Sequence, residues 1–271
     1  MCLCPSRVPA PCRRIGAQPC CWVCSAGGRG DLHVVLSQRA LGLRSHGGDT
    51  AIPGGRFELG DADMEACARR EAWEETGLPI NPAASPKLCE LRAFLSANEL
   101  VVTPVVVLLT DPTQQPNLNP REVSSLFSVP LRAFLYHVPP VALRPSLRLP
   151  AMPSEDDMLS ASEVSGPSDW HHCRDISWFG ERIRRHDFWH RSNPIRGLTS
   201  DILIHAAWLA YGQEPSFVLR APNQPSDAAL IRTAFEGPLA IRKRRVRPRM
   251  GPLAQPVDDD DKEGTPGKSK L

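Results

Sequence analysis

The sequence predicts one medium α/β domain with a tail at each end. Three observations lead to this expectation. The 271 residues, 41% of them hydrophobic, suffice for a single core. Apolar runs with strand character occur at 20–26, 32–38, 87–95 and 101–109, bounded by turn residues. One strongly signalled helix lies between the second and third of these runs. Asp61 or Asp63 can cap its start, and Gly77 followed by Pro79 stops it.

Residues 1–18 are rich in Pro, Arg and Cys without periodicity and read as a tail with no secretory pattern. Six of the nine cysteines fall within the first 24 positions. The odd total does not read as a secreted disulfide frame, and Cys21-x-x-Cys24 is only half of a zinc motif, so reduced thiols are expected. Residues 20–26 and 32–38 are close enough, across the turn at 27–31, to form a hairpin. The run at 101–109 is almost continuously apolar and reads as a buried sheet member, with Pro104 marking an edge or a bulge. Residues 139–169 lose periodicity and read as a flexible insertion in a domain spanning 19–214. Residues 215–271 read as a Pro-rich tail, first basic (Arg242, Lys243, Arg244, Arg245), then acidic from Asp258. The formal net charge of +2 gives no strong field for nucleic acid, and no apolar run reaches the ~18 residues of a membrane span.

The chemistry concentrates at 54–78. A helix advances about 100° per residue, so Glu71, Glu74 and Glu75 fall within roughly 100° of arc on one face. Such a face is either a solvated acidic surface or a seat for divalent cations, which take oxygen ligands. Gly54 and Gly55 lack a Cβ and let a backbone carbonyl approach a cation closely.

Gly55, Asp61 and the run Arg70-Glu71-Ala72-Trp73-Glu74-Glu75-Thr76-Gly77-Leu78 together resemble the Nudix box, Gly-x5-Glu-x7-Arg-Glu-U-x-Glu-Glu-x-Gly-U, where U is apolar. Asp61 stands where the pattern has Glu, and one extra residue separates it from Arg70. A box lengthened in this way looks like the coenzyme A diphosphatase branch of the Nudix hydrolases. The block from Leu36 through Arg39, Leu43, Arg44, His46 and Gly48 to Ile52-Pro53-Gly54-Gly55 is similar to the segment upstream of that branch's box, with Ile52 in place of Phe. The stretch from Asn119 to Leu131 resembles a Nudix element in which Glu122-Val123 opens a short helix. Residues 178–180 and 183–188 look like the branch's late strands. Pro194 to Ile204 resembles its Ile-x-Gly-Leu-Thr motif, with Thr199 or Ser200 capping a helix to about residue 211. Ile202, Leu203, Ala206, Leu209 and Ala210 would pack that helix on the sheet.

The resemblance covers about 20–211 and is most specific over 35–78. It implies an α/β/α sandwich with a mixed sheet between helices, and Mg²⁺- or Mn²⁺-dependent hydrolysis of the diphosphate in coenzyme A or acyl-coenzyme A. Glu71, Glu74, Glu75 and the Gly55 carbonyl would hold the metal, and Arg70 would orient the carboxylates. Arg39, Arg44 and Gly54 would meet substrate, although either arginine could instead solvate a loop or pair with a box carboxylate. Asp61 and Glu122 are auxiliary candidates. Glu122 could equally be a helix N-terminal acid. Other Nudix substrates (NADH, ADP-ribose, an oxidised nucleotide) and a non-catalytic binding module are the alternatives. The terminal Ser269-Lys270-Leu271 matches the address read by the peroxisomal import receptor.

Overall fold

The structure, a computed structural model, describes residues 20–26, 31–98, 100–111, 113–149, 170–178, 180–190 and 193–236; of 20–26 it describes the backbone only. Within these bounds the strands form three sheets. The main sheet runs β3 (Thr50–Ala51), β2 (Leu32–Arg39), β1 (Cys20–Ala26), β7 (Pro104–Leu109), β4 (Lys87–Glu90), and β8 (Val123–Pro130) also pairs with β2. A second sheet joins β11 (Asn193–Arg196), β10 (Glu181–His190) and β9 (His171–Trp178). The third pairs β5 (Phe94–Leu95) with β6 (Val101–Val102).

The main sheet is mixed. β1 runs antiparallel to β2 from Cys24↔Val34 to Ala26↔Leu32, as expected for a hairpin, and parallel to β7. β2 is the spine. Its residues 33–39 pair with β8, while 32–34 pair with β1 and 37–38 with β3, which places β1 and β3 along the edge opposite β8.

Side-chain alternation along these strands defines the layers. Val34 and Leu36 on β2 and Val106 on β7 join the large core, while Val35, Val105 and Val107 face the other way. On that other face lies α1 (Met64–Thr76), held by Ala68 and Ala72. Each fully buried valine there contributes about 1.5–3 kcal/mol by leaving water. The large core packs the sheet against a 3₁₀ turn (Leu131–Leu135) and α3 (Leu198–Tyr211). The sheet therefore lies between helices.

Asp63, not Asp61, caps α1: its side chain accepts from Ala66 N–H at 2.8 Å. Gly77 closes the helix at φ 71°, in the left-handed region that glycine adopts without strain.

Several expectations are corrected. Residues 122–126 open no helix; the β-branched and aromatic pattern Val123, Phe127, Val129 extends along the free edge of β2 as β8. The runs at 87–95 and 101–109 each divide in two, since β5 and β6 leave the main sheet to pair with each other. Pro104 marks no edge: it begins β7, which is paired on both sides, and the first position of a strand tolerates the missing N–H. Gly197 occupies the N-cap of α3 at φ 64°, and the Ser200 hydroxyl donates instead to His186 O at 2.6 Å. Leu209 and Ala210 are exposed, and Ile204 and Ala207 are buried in their place.

The span expected as an insertion carries α2 (Arg144–Leu147), whose Leu147 is fully buried, and 150–169 lie outside the described residues. The tail expected from 215 starts later, because α4 (Asp227–Glu236) buries Leu230 and Ala234 against β5, β6 and β10. The basic and acidic runs, the Cys21/Cys24 side chains and Ser269-Lys270-Leu271 lie outside the described residues. No helix among the described residues is long and apolar enough to cross a membrane.

Candidate active site

Buried Ile52 anchors the segment after β3, and Gly54 and Gly55 follow it against the C-terminal half of α1. The two glycines meet the two inward carboxylates of the helix. Gly54 N–H donates to Glu75 Oε2 at 3.2 Å. A Cβ built on Gly55 would stand 2.2 Å from the Glu71 carboxyl carbon, so any other residue there must push that carboxylate aside.

Glu75 is 5% exposed. Burial pushes its pKa up to about 7; the Gly54 N–H and Arg39 pull the other way, and Glu71 and Glu122 add to the rise. Burial likewise raises Glu71, opposed by Arg70 and reinforced by Glu74 and Glu122. Glu71, Glu75 and Glu122 thus share one electrostatic neighbourhood, drawn from α1 and from the residue before β8. The backbone explains how Glu122 arrives: its carbonyl accepts from Ala40 N–H at 2.8 Å, beside Arg39 at the end of β2.

Arg39 sits where the β2–β8 register shifts, a bulge that re-aims a side chain. Its guanidinium lies 3.8 Å from Glu75 Oε1, and its buried Nε donates to no group among the described residues. Arg70 organises the outer side. It donates through Nε and Nη2 to both oxygens of Asp61, at 2.9 and 3.0 Å, and through Nη1 to Glu71 and Glu74, at 3.1 and 3.2 Å. Its hydrogen bonds hold the Asp61 carboxyl down at about 2. Glu74, whose side chain is 52% exposed, is the outermost of the three helix acids.

The structure therefore brings together Gly54, Gly55, Glu71, Glu75, Glu122 and Arg39, with Arg70 and Asp61 as an adjoining clasp. It does not bring in Arg44, which is exposed and outside the cleft lining although its loop neighbours Ser45 and His46 line it. Sequence reasoning missed Arg56, whose carbonyl accepts from Arg70 Nη2 at 3.0 Å, and Cys67, whose Sγ lies 3.4 Å from the same nitrogen. It also missed a cleft of about 610 Å³ that opens beside Gly54 and Arg39 and reaches the second sheet.

A family model described as NUDIX domain matches residues 16–148. The protein named "Uncharacterized Nudix hydrolase NudL" of Photorhabdus laumondii is 31% identical over 174 residues, 64% of this chain and 75% of that protein. The chain belongs to the Nudix family. "Nudix hydrolase 15, mitochondrial" of Arabidopsis thaliana is 33% identical over 202 residues, 73% of this chain and 59% of that protein. "Peroxisomal coenzyme A diphosphatase 1, peroxisomal" of Saccharomyces cerevisiae is 36% identical over 141 residues, 43% of this chain and 42% of that protein. The chain spans less than two thirds of the Arabidopsis relatives it matches.

Nudix hydrolases generally use divalent metal ions. Among the described residues no three Asp, Glu, His or Cys side chains already converge around one point, and Arg70 donates to both Glu71 and Glu74. The donor set nonetheless fits a hard cation. It offers the carboxylates of Glu71 and Glu75, both raised in pKa by burial and in part by Glu122, and a glycine elbow where a Cβ would displace Glu71. Within the Nudix box, Glu71, Glu74 and Glu75 are the residues that would hold the ion.

Proposed function

We propose that this Nudix chain hydrolyses the diphosphate bond of coenzyme A and its derivatives with Mg²⁺ or Mn²⁺. The products are 3′,5′-ADP and 4′-phosphopantetheine or its acyl form. The observation that carries this reading is the junction of a crowded carboxylate corner with a large cleft whose lining includes Arg39, Arg56, Arg174, Arg185 and Arg196. A substrate with a diphosphate and further charge suits such a cleft, because guanidinium forks bind phosphate oxygens in pairs. The partial likeness to the yeast coenzyme A diphosphatase supports the same choice.

A divalent cation bound here would neutralise the diphosphate and make water a better nucleophile near neutral pH. The chain's own groups do the rest. Gly54 N–H fixes Glu75 through Oε2, and Arg39 stands beside Oε1. Arg70 holds Asp61, Glu71 and Glu74 in one arrangement.

Turnover of coenzyme A, NADH and ADP-ribose with Mg²⁺, with products separated by mass, tests the reading. Coenzyme A is expected to have the highest kcat/KM and to yield 3′,5′-ADP. Preference for NADH or ADP-ribose, or binding without any product, would remove it.

Peroxisomal delivery is part of the same proposal and rests on Ser269-Lys270-Leu271. The yeast relative is named peroxisomal, and the Arabidopsis relatives are named mitochondrial and chloroplastic. A fluorescent protein fused ahead of the chain is expected in peroxisomes and in the cytosol once Leu271 is deleted. Mitochondrial fluorescence would contradict this.

A further inference from the structure

The wall of the cleft opposite the glycine elbow is one face of the second sheet. Alternate residues of a strand share a face. Arg174, Ile176 and Trp178 of β9 line the cleft together, as do Arg185 and Asp187 of β10. Arg174 and Arg185 are direct cross-strand partners, and Asp187 is the partner of Arg196 on β11. Like charges placed opposite one another weaken a ladder. This ladder nevertheless turns three guanidinium groups toward one space, with a single carboxylate of its own among them.

The three arginines are not equally engaged. Arg185 is ion-paired to Asp201 of α3 and stands 5.3 Å from the Trp178 ring. Arg174 lies 3.8 Å from Asp187 with its side chain 63% exposed, and Arg196 lies 3.3 Å from Asp49 with its side chain 50% exposed. A guanidinium carries five N–H donors, so both keep donors to spare.

We propose that Arg174 and Arg196, backed by Arg185, form a subsite for a phosphomonoester that the substrate carries outside the bond being cleaved. Two forks call for a dianion, and a phosphomonoester at neutral pH offers nearly two charges and three acceptor oxygens. Trp178 and Ile176 on the same face suit the flat apolar surface of a nucleoside base. The diphosphate goes to the opposite corner, where Arg39 and the carboxylates stand. This inference rests on the coenzyme A reading and deepens it: the 3′-phosphate is the group read here, so the adenosine end lies over the second sheet.

Titration of the full chain in chelator with 3′,5′-ADP and with 5′-AMP tests the subsite without turnover. The parent is expected to bind 3′,5′-ADP at least about tenfold more tightly, the scale of one charge-assisted hydrogen bond. In Arg174→Ala/Arg196→Ala that gap closes. The single variants Arg174→Gln and Arg196→Gln, which keep bulk and polarity, are expected to narrow it if the double variant fails to fold. In steady state the ratio of kcat/KM for coenzyme A over dephospho-coenzyme A falls about tenfold in the double variant. A parent with no preference for 3′,5′-ADP, or variants that lose both ligands equally, would overturn the subsite even if coenzyme A is hydrolysed. Conversely, a parent that keeps this preference and loses it in the variants, yet leaves coenzyme A intact, supports the subsite and refutes the reaction.

Discussion

Glu75→Gln is expected to do two opposite things: lower kcat by orders of magnitude, because Glu75 is one of the carboxylates that would hold the metal, and make the metal-free fold more stable above pH 7. The second effect follows from burial. In the folded chain the Glu75 pKa is raised from an ordinary 4.5 to about 7. Its contribution to stability is therefore complete below about pH 4.5 and lost as pH rises through 7. At pH 8 the folded chain holds a buried anion, at a cost of about 3 kcal/mol from a shift of this size. Glutamine keeps the shape and can still accept from Gly54 N–H, but it forfeits the attraction of Arg39. A net gain of about 1–2 kcal/mol would raise Tm by roughly 2–8 °C for a domain of this size. Thermal melts in chelator at pH 8 and pH 5 provide the check: the gain should be present at the first and absent at the second. A Tm that falls at pH 8 would mean that the carboxylate stabilises the fold through its ion pair.

Gly55→Ala is expected to cost activity far more than stability. The new methyl would stand 2.2 Å from the carboxyl carbon and one oxygen of Glu71 and 2.3 Å from the other. What must yield is the far end of a flexible side chain, so the fold loses only about 1 kcal/mol, the usual scale for a point substitution. The displaced carboxylate is another matter, since a shift of about 1 Å at a catalytic group can cost 10²-fold in rate. Gly60→Ala is the control, because a Cβ there meets nothing within 4 Å and Gly60 lies outside the site. Melts and Mg²⁺-dependent turnover of both variants separate the effects. Near-parental turnover by Gly55→Ala would show that the place of Glu71 does not matter.

What the sequence revealed, and what it hid, follows from the range of the interactions. The ends of α1 were legible because a cap is a contact between near neighbours: Asp63 with Ala66, Gly77 with Trp73. The pairing of Glu71 with Gly55 was legible as a spaced pattern, although its steric basis needed coordinates. Glu122 was singled out but placed on a helix. Its strand is decided by the vacant edge of β2, more than eighty residues earlier in the chain, which local propensity does not register. The arginine wall was missed altogether. It exists only once the register sets Arg174 opposite Arg185 and Asp187 opposite Arg196. Alternation within 174–178 and 183–187 was the available signal. The helix after residue 226 was hidden by the prolines that flank it on the N-terminal side.

The carboxylate corner and the arginine wall belong to different hydrogen-bonded ladders, because among the described residues the second sheet shares no strand pairing with the first. No backbone lattice therefore sets the gap between them. Near that gap the walls are tied by slender links, the Arg196–Asp49 ion pair and the contact of the Thr199 hydroxyl with the Thr50 carbonyl. Behind it, Phe188 and Ile195 of the second sheet share one buried core with Val34 and Leu36 of the first, so side-chain packing, not a common ladder, sets the width of the cleft's mouth.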